Sequence, residues 1–208
     1  MSWLADGLRW LFDLFVGFTS SYGIAIIIVT ILIRLVMLPL TFKQARSMQV
    51  RKELQPKLEE LQKKYKDNPQ EFQARSLKLY KEYNYNPFSG CLPLLVQLPI
   101  LWAFLAVLRE LPQSDFAQFF YLNLTEPDPY FILPLLSVLT QFITIWQTSA
   151  GSSQRGMMMA MPIFIGWVST RLPAGLVLYW VVGNVFTILQ QAWTSSRFPT
   201  APQGGQSK

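Results

Sequence analysis

Arg34 is the single charged side chain in the run TILIRLVMLPL, residues 30–40. A cation at the centre of a membrane-embedded helix costs roughly 2.5–3.5 kcal/mol or more, so it is either drawn out to water or kept inside for a purpose. Uncharged polar residues recur in the other apolar stretches at three- and four-residue steps, which places each set on one helix face. Thr30 and Arg34 form one such set, with Thr41 in line. Ser137, Thr140, Gln141, Thr144, Gln147 and Thr148 form a second, and Trp180, Asn184, Thr187 and Gln191 a third. Gln97 stands near the start of another apolar run. Such groups can hydrate a guest and attract its charge. They cannot easily break bonds. The chain contains no histidine and one cysteine, Cys91, which removes the usual general base, the commonest metal ligand, any internal disulfide and any multi-cysteine cluster. No glycine-rich phosphate loop is present. The expectation is a protein that is not an enzyme and carries no metal and no cofactor.

The elements that must hold these residues are membrane spans. Five segments approach the roughly 20 apolar residues that cross a hydrocarbon core: 22–41, 91–108, 130–148, 157–171 and 174–194, the fourth being the shortest. Eleven lysines and arginines lie within 42–86, whereas 109–129 holds Arg109 against Glu110, Asp115, Glu126 and Asp128. The excess of basic residues marks the cytoplasmic side, so 42–86 and the loop 149–156 face the cytoplasm, 109–129 lies outside, and the termini are outside and inside respectively. Residues 1–21 carry Leu4, Leu8, Leu11, Phe12, Phe15 and Phe18 at helical spacing together with Asp6, Arg9 and Asp13. That mixture fits an amphipathic helix in the outer interface better than a signal peptide. Within 42–86, Leu54, Leu58, Leu61 and Tyr65 form a coiled-coil-type seam, KDNP at 66–69 breaks the helix, and Phe72, Leu79 and Tyr83 continue the seam. An antiparallel helical hairpin follows, with a solvated charged spacer as the plainer alternative. The tail 195–208 is rich in Pro, Gly, Gln and Ser and is expected to be disordered. The fold class is therefore an all-α integral membrane protein with five transmembrane helices, an N-terminal interfacial helix and a cytoplasmic helical hairpin.

With this orientation the polar residues gather in the inner halves of the spans. The outer halves, such as GIAII at 23–27 and AGLVL at 174–178, are almost pure hydrocarbon. The pattern describes a cavity that opens to the cytoplasm and closes before the outside. Two plainer readings compete. Ser, Thr, Asn and Gln can simply bond helix to helix, at about 0.6 kcal/mol apiece. Arg34 could also snorkel, since six residues separate it from Leu40, about 9 Å of helix. The absence of any carboxylate within the five spans favours a cation held for an anion that comes from elsewhere. An ion channel or solute transporter using the same cavity is the rival, but it needs a polar path through both halves. Met157, Met158, Met159 and Met161 offer either a soft surface for varied guests or ordinary lipid-facing packing.

The stretches YGIAIIIVTILIRLVMLPLTFKQ, LQPKLEELQKKYKDNPQ, LYKEYNYNPFSGCLPLLVQLPI and MPIFIGWVSTRLPAGLVLYWVVGNVFTILQQ, in this order, resemble the YidC/Oxa/Alb family of membrane protein insertases, of the short bacterial type. The resemblance implies five core spans, a cytoplasmic hairpin after the first, and a hydrophilic groove whose arginine corresponds to Arg34. It also implies substrate contacts at Thr30 and Trp180, the latter often a tyrosine in the family. The groove would be completed by Gln97, Gln141, Thr144, Asn184, Thr187 and Gln191. The implied setting is the bacterial plasma membrane. The implied partners are nascent membrane proteins and the lipid bilayer, with the ribosome and the Sec translocon as further candidates and a monomer as a sufficient unit. Against the family pattern, the sequence shows neither the large extracytoplasmic domain of Gram-negative members nor a lipoprotein-type cysteine at its start. Its tail has only Arg197 and Lys208, which argues against tail-mediated ribosome docking.

Overall fold

A computed structural model describes residues 2–86, 92–111, 118–148 and 152–197. Eight helices carry most of the described chain: α1 Ser2–Thr19, α2 Tyr22–Val36, α3 Leu38–Lys64, α4 Pro69–Glu82, α5 Leu92–Arg109, α6 Ile132–Thr148, α7 Ser152–Ser169 and α8 Ala174–Arg197. Among the described residues, one helix, Ala174–Thr194, is long and apolar enough to cross a membrane by itself. Shorter apolar helices cover Tyr22–Val36, Leu95–Arg109, Ile132–Gln147 and Met159–Ser169. Cys91, the tail 198–208 and the side chains of Met157 and Met158 lie outside the described residues.

Local chemistry explains the breaks. Ser20 takes a left-handed conformation, φ 51°, and turns the chain from α1 into α2. The first apolar helix stops at Met37, two residues ahead of Pro39, and α3 starts afresh at Leu38 with the proline in its first turn, where a missing N–H costs nothing. The arm formed by α3 and α4 therefore grows out of the apolar segment without a loop at 42. Pro56 is carried inside α3. Asn68 caps α4 by accepting a hydrogen bond from the Glu71 amide at 3.1 Å, with Pro69 at the first helical position. Leu54 is wholly buried in the arm, and Leu58, Leu61 and Tyr65 are partly sheltered along the same seam. On α4, Ser76 is the buried position and Tyr83 is exposed, so the second seam runs through 72, 76 and 79–80.

The all-helical expectation misses one element. β1 Gln118–Phe119 and β2 Leu122–Asn123 pair antiparallel across a two-residue turn, with Phe119 opposite Leu122. The turn residues Phe120 and Tyr121 carry none of the Asn-Gly or Asp-Gly signal that announces such hairpins. Tertiary contact holds it instead. The Phe119 ring occupies the space left by the absent side chain of Gly23, and Leu122 and Leu124 are buried.

The hydrophobic core sits at the β-hairpin end of the molecule. The buried residues of α2 are Gly23, Ala25, Ile26, Val29 and Thr30, with none beyond position 30. α8 is buried without interruption from Ala174 to Tyr179. α5, which runs the opposite way, buries Ala103, Phe104, Val107 and Leu108 near its far end. α1 adds Leu8 and Phe12, the latter edge-on to Phe104 at 5.5 Å between ring centres, and leaves Trp10, Leu14 and Phe18 exposed. The first amides of α8 donate to the loop between β2 and α6, Ala174 to Glu126 at 2.6 Å and Gly175 to Leu124 at 2.9 Å. These helix-start donors would otherwise lack partners, so this end is closed by both hydrocarbon and backbone.

Candidate functional site

α2 and α8 lie side by side in one register. A side chain at Gly175 would meet Ile26, one at Gly183 would meet Arg34, and Gln190 donates to the Thr41 hydroxyl. Residue n thus faces residue n + 149 at positions 26, 34 and 41 alike. Because Gly183 is the counterpart of position 34, the guanidinium rests at the level of its own backbone and does not stretch toward Leu40. Its Nη2 is 2.5 Å from where a Cβ of Gly183 would stand.

One turn toward the core, the hydroxyl of Tyr179 accepts a hydrogen bond from Gln97 Nε2 at 2.6 Å. Tyr179 is buried, and its phenol lies within electrostatic reach of Arg34. Arg34, Gly183, Tyr179 and Gln97 therefore join α2, α8 and α5 around one polar point at the boundary of the core. No carboxylate pairs with Arg34 among the described residues.

A second stripe of α8 faces α6. Asn184 Nδ2 donates to Thr140 Oγ1 at 3.2 Å, and Trp180 Nε1 points to Gln141 Oε1 at 3.4 Å. Thr140 and Thr144 also bond back to their own helix, to Leu136 O and Thr140 O, and Ser137 approaches Ser169 of α7 at 3.4 Å. Here the polar residues connect helix to helix, which is the plainer of the two readings open for them. At 3.6 residues per turn, one residue corresponds to about 100° of rotation. The pair 180/184 is thus turned a quarter of the way round α8 from the pair 179/183. Thr187 lies between the two stripes and donates to Gly183 O at 2.9 Å.

Thr30 is completely buried, its hydroxyl bonded to Ile26 O at 2.6 Å. Gln97, Arg34, Gln141, Thr144, Trp180, Thr187 and Gln191 are each partly accessible. Past the Arg34 level the gap between α2–α3 and α8 is bridged twice, by the Gln190–Thr41 bond and by the rings of Phe42 and Trp193, 5.7 Å apart. The sequence pattern pointed to neither Tyr179 nor Gly183. A tyrosine beside a tryptophan in an apolar run looks like belt or core, and a lone glycine carries no partner information. The i, i+4 spacing of 179 and 183, together with the register against Arg34, is the signal that identifies them. Groups of three or more residues able to hold a metal do not occur among the described residues.

Residues 14–201 match the model of the family described as 60Kd inner membrane protein. The chain is similar to "Membrane protein insertase YidC" of Caldanaerobacter subterraneus subsp. tengcongensis, 41% identical over 92% of this chain and 93% of that one. It is equally similar, at 41%, to "Membrane protein insertase YidC 1" of Listeria monocytogenes serotype 4b, over 95% of this chain and 70% of the relative. Among solved structures it resembles one described as "Active YidC insertase crystal structure with the first transmembrane domain resolved". That match has a TM-score of 0.73 and 30% identity and covers 91% of this chain and 45% of that one.

Proposed function

The chain belongs to the 60Kd inner membrane protein family, that of the YidC insertases, and on that premise we propose that it works as a membrane protein insertase whose capture group is Arg34. One observation carries the reading. The sealed core ends at the level where Arg34 lies on Gly183; Gln97 of α5 stands at this boundary, and past it Thr41 of α3 and Thr187, Gln190 and Gln191 of α8 are partly accessible polar side chains. An unpaired cation at the floor of such a recess can attract an acidic segment that arrives from the open side.

In this reading α2 with the start of α3, α5, α6, α7 and α8 cross the membrane. The N-terminus and the β-hairpin are outside, and the arm and C-terminus are inside. The Trp10–Leu14–Phe18 stripe of α1 meets the outer leaflet. A nascent protein first encounters the arm, whose helices enclose a cleft of about 300 Å³ bounded by Arg51, Leu54, Gln55, Phe72, Tyr80 and Tyr85. Its hydrophilic tail then enters the recess, where Gln97, Thr187 and Gln191 hydrate it and shorten the apolar distance still to be crossed. Arg34 holds its acidic groups; at an intermediate dielectric the attraction is worth a few kcal/mol before desolvation. A membrane potential positive outside then assists, by about 2.3 kcal/mol per negative charge per 100 mV. The apolar part leaves sideways into lipid. No bond is made or broken and no nucleotide is required. Delivery by the ribosome and cooperation with the Sec translocon are compatible with the arm's position. The rival channel or transporter draws no support from relatives that are named insertases.

The test is insertion of a small client with an acidic external tail by purified protein in liposomes. Arg34→Ala is expected to lower insertion by roughly ten-fold, the equivalent of about 1.4 kcal/mol, while Arg34→Lys retains most of it. Normal insertion of every acidic-tailed client by Arg34→Ala would remove the capture role. Steady ion conductance by the purified protein in planar bilayers would restore the channel.

A further inference from the structure

We propose that Gly183 is the residue that positions Arg34: with no side chain of its own, it leaves a bare stretch of α8 backbone on which the guanidinium lies within the membrane. The proposal rests on the insertase reading above and adds to it the device that keeps the charge at that depth.

A glycine in the interior of an apolar helix is a poor helix former compared with alanine, so its presence at 183 calls for a reason, and packing supplies one. A Cβ at this position would stand 2.5 Å from Nη2 and 3.2 Å from both Cζ and Nε of Arg34, all well inside ordinary van der Waals contact of about 3.5–4.0 Å. Three atoms of one rigid plane meet it together, so no single bond rotation at the tip relieves the overlap.

Glycines elsewhere in the helices behave differently. Gly175 is crowded by Leu124 O and by packed Leu108 and Ile26, and Gly166 by Val138, whereas Gly7 and Gly17 face open space. Only at Gly183, among the glycines of the described residues, is the neighbour the free end of a long charged side chain. An alanine there would leave α8 in place and move the guanidinium. The core closes the space on one side, at Thr30 and Tyr179, so the displaced group would go toward Leu40 and the headgroups. There it would be the snorkelling arginine that the native structure avoids.

The experiment compares Gly183→Ala, Arg34→Ala, the two combined, Arg34→Lys, and Gly183→Ala with Arg34→Lys, all in the full-length protein. It reads thermal unfolding in detergent and insertion, in liposomes, of one small client in acidic-tailed and neutral-tailed forms. Gly183→Ala is expected to melt no lower than the parent and to reduce the acidic-to-neutral insertion ratio several-fold. It should add nothing further in the Arg34→Ala background. The slender ammonium of Arg34→Lys passes a Cβ where a guanidinium does not, so adding Gly183→Ala to Arg34→Lys should leave its ratio unchanged.

A lower melting temperature with equal loss for both clients, or losses that add to those of Arg34→Ala, would make Gly183 a packing residue and overturn the proposal. If Arg34→Ala lowers the ratio and Gly183→Ala does not, positioning alone is refuted. If Arg34→Ala itself leaves the ratio untouched, the capture reading fails and the positioning role falls with it.

Discussion

Gln97 on α5 donates to the hydroxyl of Tyr179 on α8 at 2.6 Å, one helical turn from the glycine on which Arg34 lies. This bond is a polar connection between α5 and the α2–α8 pair at the point where the buried core ends. Tyr179→Phe keeps the ring and its contact with Phe104, 4.6 Å between centres, and removes only the hydroxyl. The expected loss of stability is about 0.5–1.5 kcal/mol, the net value of one such bond. Gln97→Leu should cost a similar amount. Chemical unfolding of the single and double variants measures this. The double variant should lose less than the two singles together, because both remove the same bond.

Past the Arg34 level, Gln190–Thr41 and Phe42–Trp193 hold the start of α3 against α8. If clients leave between these helices, the closure must part during each cycle. Thr41→Cys with Gln190→Cys, in a Cys91→Ser background, would lock it under oxidation. Oxidised protein is expected to bind clients at the arm yet release few of them into lipid, and reductant should restore insertion. Insertion at the parental rate by the fully crosslinked form, quantified by gel shift, would place the exit elsewhere.

Much of this arrangement can be seen in the sequence, and the missing parts have a common cause. Hydrophobic runs and 3.6-residue spacing locate α2, α5, α6 and α8 and show that Trp180 and Asn184 share a face. They do not say which neighbour that face meets. In the structure it meets α6, while Arg34 meets the adjacent stripe of Tyr179 and Gly183. Both stripes contain polar residues a quarter turn apart, so periodicity alone merges them. The break at Met37 is the helix end that Pro39 announces in the sequence, whereas the pairing of Phe119 with Leu122 depends on tertiary contacts, which no spacing rule contains. The Leu54 seam of the arm was legible because two helices joined by a short turn have only each other to pack on.

Gly23 and Gly183 should respond to alanine in opposite ways. At Gly23 the atoms displaced are Cβ, Cγ and Cδ2 of Phe119, the root of a ring anchored in the β-hairpin, which has no free end to swing aside. Gly23→Ala should lower stability by about 1–3 kcal/mol, the usual cost of overpacking. It should also expose residues 118–123 to amide exchange. A melting curve and exchange protection no different from the parent would show that the hairpin is not held by this contact.

In the arm, Leu54 is wholly buried and Lys57 is fully exposed yet hydrogen-bonded to the Tyr83 hydroxyl. Leu54→Ala removes the central apolar contact between α3 and α4 and should cost about 2–5 kcal/mol of local stability, read as faster amide exchange in 54–82 with the apolar helices unchanged. The Lys57 bond acts through pH. The Tyr83 hydroxyl raises the ammonium above its ordinary 10.5, and a raised folded-state value stabilises the arm below the unfolded pKa and is lost as pH climbs through the folded one. The contribution should therefore be constant from about pH 6 to about pH 9 and disappear only above about 10.5. Lys57→Met should consequently flatten the alkaline limb of the arm's exchange profile while leaving the neutral region parallel to the parent. A difference in slope near pH 7 would mean that another group carries the dependence.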